Sequence, residues 1–155
     1  MTTTDTPSTE TTDDAAAADF VRRFQETWAA PTPERLNELV HADIEFIQPM
    51  QPPVHGHAEA AAFWRHVLSM IPDLTGEVVS WAARGGVVFI ELRMRGTLGG
   101  EPVEWVTLDR ISLEDGKVRR RIAYFDPLPL MRTIVVRPRA LAAWLRANAR
   151  RLTRR

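Results

Sequence analysis

Apolar side chains recur along this chain in two rhythms, and the switch between them outlines a fold. From Asp14 to Ala30, the residues Ala17, Phe20, Val21, Phe24 and Trp28 return every three or four positions. That spacing predicts an amphipathic helix, stopped by Pro31. Thr32 followed by Pro33 reads as the cap and first residue of a short second helix with Leu36, Leu39 and Val40 on its buried face and His41 at its end. Ile44, Phe46 and Gln48 then alternate with Glu45 and Ile47, the two-residue period of a strand, until Pro49, Pro52 and Pro53 break it into a loop. A third helix is expected over 57–70, turning Ala61, Trp64, Val67, Leu68 and Ile71 inward and ending at Pro72.

Beyond Pro72 the rhythm becomes that of strands. Segments 75–84, 86–97, 102–113 and 117–125 are separated by Gly85-Gly86, Gly99-Gly100 and Asp115-Gly116, each a hairpin signal, so an antiparallel meander follows the helices. Helices first and strands afterwards predict an α+β domain, because parallel α/β folds alternate the two. Residues 1–13 are Thr-rich, acidic and poor in apolar side chains, and they read as a disordered tail. Residues 138–155 set Leu141, Trp144, Leu145 and Leu152 against Arg139, Arg146, Arg150, Arg151 and Arg154, a basic amphipathic helix appended to the domain of 14–137.

Composition narrows the chemistry. The chain has 155 residues, 45% of them hydrophobic, enough for one core. It has no cysteine, which removes disulfides, thiolate nucleophiles and thiolate metal sites. Twenty basic residues balance twenty acidic ones, so no nucleic-acid partner is expected. The balance is uneven along the chain: residues 1–19 carry five acids and no base, and 132–155 carry eight arginines and no acid. The C-terminal helix could therefore meet an anionic membrane surface, although packing on its own sheet or on a partner subunit is the commoner use of such a helix. Nothing resembles a signal peptide or a membrane span, so a cytoplasmic location is expected. His41, His55, His57 and His66 follow no recognised metal spacing, and neither a metal nor a redox cofactor is expected.

Several short motifs stand at characteristic places: Gln48-Pro49 ending the lone strand, Gly56 with Ala60 and Phe63-Trp64, and Pro72-Asp73-Leu74. Later come Leu108-Asp109, Asp115-Gly116-Lys117-Val118 and Tyr124-Phe125-Asp126-Pro127. With the order of elements, they make residues 15–130 resemble the nuclear transport factor 2-like superfamily, particularly its SnoaL-like and ketosteroid-isomerase-like branches. The resemblance implies a cone-shaped, curved antiparallel sheet backed by three N-terminal helices and enclosing an apolar pocket. It fixes little about function, because this scaffold carries isomerases, cyclases, dehydratases, epoxide hydrolases and non-catalytic binders.

Candidate site residues come from matching positions. A ketosteroid isomerase combines a carboxylate base with an oxyanion hole of a tyrosine and a protonated aspartate. The resemblance puts Gln48 at the base position, Phe24 at the tyrosine and Asp109 at the aspartate, so one role of three survives. The Asp-Arg-Asp cluster of limonene-epoxide-hydrolase-like enzymes falls on Met94, Leu92 and Ala123, which implies that this chemistry is lost. Asp109 is thus the candidate catalytic residue. Among Trp105, Met94, Leu92 and Phe125 it would be desolvated, making a neutral hydrogen-bond donor conceivable.

The alternative is that Asp109 pairs with Arg121, and the hairpin register decides between the two. A three-residue loop with Gly116 in a bulge pairs Asp109 with Arg121 on one face. A two-residue Asp-Gly turn pairs Asp109 with Ile122 and sends Arg121 to the other face. The family pattern favours the first.

Trp64 and Trp105 are expected at the pocket, Trp28 and Trp81 in packing. Phe89, Val106, Leu108 and Tyr124 fall on the outer sheet face among Glu91, Arg93, Arg95 and Arg110, and a homodimer is the expected cover. The leading reading is a domain that binds a small apolar molecule of polyketide, steroid or terpenoid type. One alternative is a cofactor-independent isomerase, cyclase or dehydratase acting through Asp109, and another is a dimeric interaction module with a membrane- or partner-binding basic tail. The expected ligand-binding set is Phe24, Gln48, Trp64, Leu92, Met94, Trp105, Arg121 and Phe125.

Overall fold

A computed structural model of the chain describes residues 9–152, with side chains described from 15 to 149. In chain order the elements are α1 (Thr9–Ala29), α2 (Pro33–Glu38), β1 (Val40–Ile47), β2 (Val54–His55), α3 (Gly56–Met70), β3 (Thr75–Arg84), β4 (Val87–Leu98), β5 (Glu101–Glu114), β6 (Lys117–Tyr124), α4 (Pro127–Val136) and α5 (Pro138–Leu152). The strands form one sheet in the order β2-β1-β6-β5-β4-β3, the meander expected from the Gly-rich turns.

One neighbour pair departs from the antiparallel expectation: β1 runs parallel to β6. These strands are joined through the whole intervening chain, not through a hairpin, and a long connection leaves the parallel direction open.

The three N-terminal helices lie on one face of the sheet, and specific side chains fasten them there. On α1, Gln25 accepts from Val78 N at 2.5 Å and donates to Gly76 O at 3.4 Å, using its amide as a partner for edge strand β3 where that strand's register shifts. Thr32 caps α2, its Oγ1 accepting from Arg35 N at 3.2 Å. After α3, Asp73 Oδ1 accepts from Thr97 N at 2.7 Å, and the Thr97 side chain first, then its backbone N–H, hold the Asp73 carboxyl below its ordinary range. Phe20, Ile44, Ile90, Leu92 and Ile111 form the most deeply buried core beneath these helices.

Several local expectations need correction. α1 begins at Thr9, inside the stretch read as a disordered tail. Residues 1–8 lie outside the described residues. Leu39 and Val40 do not continue α2: Leu39 O accepts from Val118 N at 2.9 Å and Val40 pairs with Val118, so strand pairing with β6 captures the segment, and His41 falls in β1. The two-residue β2, pairing with Glu45 and Phe46, lies in what was read as loop. On α3 the buried face is Ala60, Phe63 and Trp64, and Ala61 is only partly covered, because the stripe that docks is turned by about one residue from the expected one.

Helix α4 was not anticipated, although its start is plainly encoded: Asp126 Oδ1 accepts from Leu128 N at 2.9 Å and Pro127 opens the helix. It leaves Leu128, Val135 and Val136 exposed. Helix α5 docks on the domain instead of standing apart, with Ala140 buried and Leu141 and Trp144 packed against the core. Its start lies on the β4–β5 turn, where Gly99 has φ +61° and a side-chain Cβ would sit 2.4 Å from the carbonyl oxygen of Arg139.

That contact can be tested. Gly99→Ala meets both an unfavourable left-handed backbone and the backbone of α5, so it is expected to cost about 2 kcal/mol. Urea unfolding should show the loss; a midpoint unchanged from the parent would contradict the close packing of α5 on this turn.

Candidate functional site

The alternation of β4, β5 and β6 sends one set of side chains to the helix-covered face. There, Met94, Trp105, Thr107 and Arg121 meet Trp28 of α1, Phe63, Trp64 and Val67 of α3, and Leu74, Gln48 and Phe125 from the connecting segments. Together they line a cavity of about 90 Å³. Trp28, Phe63, Trp64, Leu74, Met94 and Thr107 are buried, and Gln48, Val67, Trp105 and Phe125 are half-buried. The wall is aromatic: the Trp64 ring lies 5.7 Å from Trp28, 5.2 Å from Phe46 and 4.6 Å from Phe63, each pair edge to face.

Of the expected binding residues, Gln48, Trp64, Met94, Trp105, Arg121 and Phe125 come together here. Phe24 and Leu92 do not. Phe24 is packed between the rings of Phe20 and Trp28, and Leu92 is fully buried, close to the position a Cβ would take on Gly76. Trp28, expected in packing, belongs to the wall. Trp81, also expected in packing, is 43% exposed on edge strand β3. Thr107 was missed, although strict alternation from Trp105 and Asp109 would have placed it on the same face.

Asp109 has no exposed surface and does not line the cavity. Its Oδ2 accepts from Arg121 Nε at 2.7 Å and its Oδ1 from Thr107 Oγ1 at 3.0 Å. Both carboxylate oxygens are thus engaged from the side facing the cavity. The candidate catalytic acid is a buried, ion-paired strand residue.

The hairpin reaches this pairing by neither expected register. Glu114 pairs with Lys117 across the two-residue turn of Asp115 and Gly116, both with positive φ (51° and 70°). The pairing then shifts between Ser112 and Leu113, so Arg119 is passed over, Ile111 faces Arg121 and Asp109 faces Ala123. The turn is that of the second register. The bulge restores Arg121 to the face of Asp109, the outcome expected of the first, as its diagonal neighbour. The guanidinium also lies 5.9 Å from the centre of the Phe46 ring.

Two of the four histidines are engaged by backbone groups: His57 Nε2 bonds Val40 O at 2.9 Å and His41 Nδ1 accepts from Asp43 N at 3.2 Å. Among the described residues no three His, Asp or Glu side chains are grouped as a metal would require, and no helix is long and apolar enough to cross a membrane.

A family model described as SnoaL-like domain matches residues 21–121. Among solved structures, a putative SnoaL-like polyketide cyclase from Jannaschia sp. CCS1 is 21% identical with a TM-score of 0.69, covering 80% of this chain and 94% of its own. A nuclear transport factor 2-like protein of unknown function from Burkholderia pseudomallei K96243 is 20% identical with a TM-score of 0.69, covering 77% and 97%. A limonene-epoxide-hydrolase-like epoxide hydrolase from M. tuberculosis is 16% identical with a TM-score of 0.67, covering 84% and 96%. At these identities the likeness establishes the fold. No curated protein matches the chain in sequence.

The buried pair makes a sharp energetic demand. Asp109→Ala would strand a guanidinium that is 9% exposed, at an expected cost of about 3–5 kcal/mol. Replacing both partners, Asp109→Leu with Arg121→Met, is expected to change stability by no more than about 2 kcal/mol. Chemical denaturation of the three proteins checks this; a single variant as stable as the parent would mean the pair is solvated.

Proposed function

The chain belongs to the SnoaL-like domain family, and on that footing we propose that its cone binds a small apolar molecule and that Asp109 serves to hold Arg121, not to move protons. The observation that carries this reading is the division of labour at the concave face. The cavity wall is aromatic and aliphatic with a few polar groups, the composition of a ligand site. The buried acid is bonded on both oxygens and lies outside the wall. A general acid or base must come within hydrogen-bond reach of its substrate. The position that would supply a base holds Gln48, whose amide does not take up a proton at neutral pH. The enzyme alternative through Asp109 therefore has less support than binding.

At about 90 Å³ the cavity is smaller than a typical ligand pocket, so a molecule of one or two fused rings, the small end of the apolar class expected from the sequence, enters only as the half-buried Val67, Trp105 and Phe125 give way. Indane is a suitable probe. Its addition is expected to shift the indole N–H signals of Trp64 and Trp105 in a nitrogen–proton correlation spectrum while leaving Trp81 and Trp144 in place. Val67→Phe, which fills the rim, should abolish those shifts in a protein that still gives a folded spectrum. Unmoved indole signals at saturating indane would rule the binding reading out.

The reading extends to a second copy of the chain. Phe89 (37% exposed), Val106 (44%), Leu108 (45%) and Tyr124 (53%) share the convex face, bordered by the pairs of Arg93 and Arg95 with Glu77 and Glu104. An apolar strip with a charged rim suits a self-complementary dimer contact. Light scattering after gel filtration is expected to give twice the chain mass, and Leu108→Glu to give the chain mass itself.

A further inference from the structure

We propose that Arg121 is the polar anchor of the cavity and that the molecule taken up carries a carbonyl oxygen, held by the outer nitrogens of its guanidinium; this rests on the binding function proposed above. A guanidinium carries five N–H donors. Among the described residues, Nε of Arg121 has its acceptor in Asp109 and the Nη nitrogens have none. Arg121 lines the cavity and Asp109 does not, and with Nε turned to Asp109 the Nη end is assigned to the cavity. A guanidinium that is largely buried, with its Nη donors unused among the described residues and not fully enclosed, can take an acceptor that enters an aromatic cavity.

The surroundings select the kind of acceptor. Asp109 already balances the charge of Arg121, and no other charged side chain lines the cavity. A ligand carboxylate would bring a second negative charge into an aromatic enclosure with one cation to share, which desolvation penalises. A carbonyl oxygen accepts the same hydrogen bonds and brings no net charge. The Trp64 indole N–H also has no acceptor among the described residues, but its nitrogen is enclosed, so the choice of acceptor rests on Arg121. Thr107, whose hydroxyl proton is used on Asp109, can accept but not donate in this arrangement.

The test compares three probes of one shape: indane, 1-indanone and indane-1-carboxylate, titrated against the full chain by the same nitrogen–proton spectra. The expected result is 1-indanone bound about tenfold tighter than indane or the carboxylate, the effect of a hydrogen bond to a charged donor. The signal of Arg121 Nε should also move, with 1-indanone only. In the Asp109→Leu, Arg121→Met protein, the preference should vanish while indane still binds. Equal affinity of indane and 1-indanone for the parent chain would overturn the anchor and leave the binding function standing. Tighter binding of the carboxylate would overturn the choice of carbonyl. A preference surviving in the double variant would remove Arg121 from the role. Failure of all three probes to bind would remove the cavity function itself, and the anchor with it.

Discussion

A charge pair with almost no access to water sets the geometry of the concave face. Asp109 lies at the centre of the sheet on β5, and burial there is tolerable only if its carboxylate is paired and fully hydrogen-bonded. Thr107, two residues earlier on the same strand, supplies one bond without any demand on register. Arg121 supplies the other, and it reaches the right face because β6 carries one extra residue opposite the Ser112–Leu113 step. Remove that bulge and every side chain of β6 beyond it changes face. Val118, Arg121 and Ala123 are buried by one arrangement, so the hydrophobic pattern of β6 and the charge pair require the same irregularity.

From the pair outward, the two faces of the sheet follow different rules. The concave face is closed by three helices, and polar contacts fasten two of them: Gln25 ties α1 to β3, while His57 ties α3 to β1 and Asp73, just after α3, bonds β4. The aromatic rings of Trp28, Phe63 and Trp64 wall the cavity that remains between these helices and the sheet. On the convex face Phe89, Val106, Leu108 and Tyr124 stay exposed among the described residues. Its charged residues pair with one another across strands, as Arg95 does with Glu104 at 2.7 Å, and the apolar residues between them are left as a strip.

Much of this was legible in the sequence, because the signals are local. Helix and strand periodicity, three glycine turns and the prolines at 31, 49 and 72 located nearly every element, and six of the eight expected binding residues meet at the cavity. The failures were contests between local and distant interactions. Leu39 and Val40 continue a helical stripe but are drawn into β1 by Val118. Phe24 and Leu92 face inward as expected, yet neighbouring rings and the close approach at Gly76 cover them before they reach the cavity. The hairpin register was open in the sequence because a two-residue turn followed by a bulge gives the facing of a longer loop while keeping the local chemistry of Asp115-Gly116. α4 was overlooked although Asp126-Pro127 is a good helix start, because its apolar residues surround the helix and show no single stripe.

The pairing of Asp109 with Arg121 has a consequence for chemistry that the fold alone does not carry. On this scaffold an inward acid can act as a donor only when it keeps a proton. A carboxylate bonded to a guanidinium accepts on both oxygens instead, so the donor presented toward the cavity passes from the acid to the arginine. A guanidinium stays protonated throughout the working range of proteins. It can bind an oxygen and polarise it, but it does not shuttle protons. The remaining polar groups on the wall, Gln48, Thr107 and the Trp64 indole, exchange no proton near neutral pH either. On the proposed reading the lining residues recognise an oxygen within an aromatic enclosure, and the proton-transfer role that Asp109 would have as a neutral acid falls to no side chain on this wall.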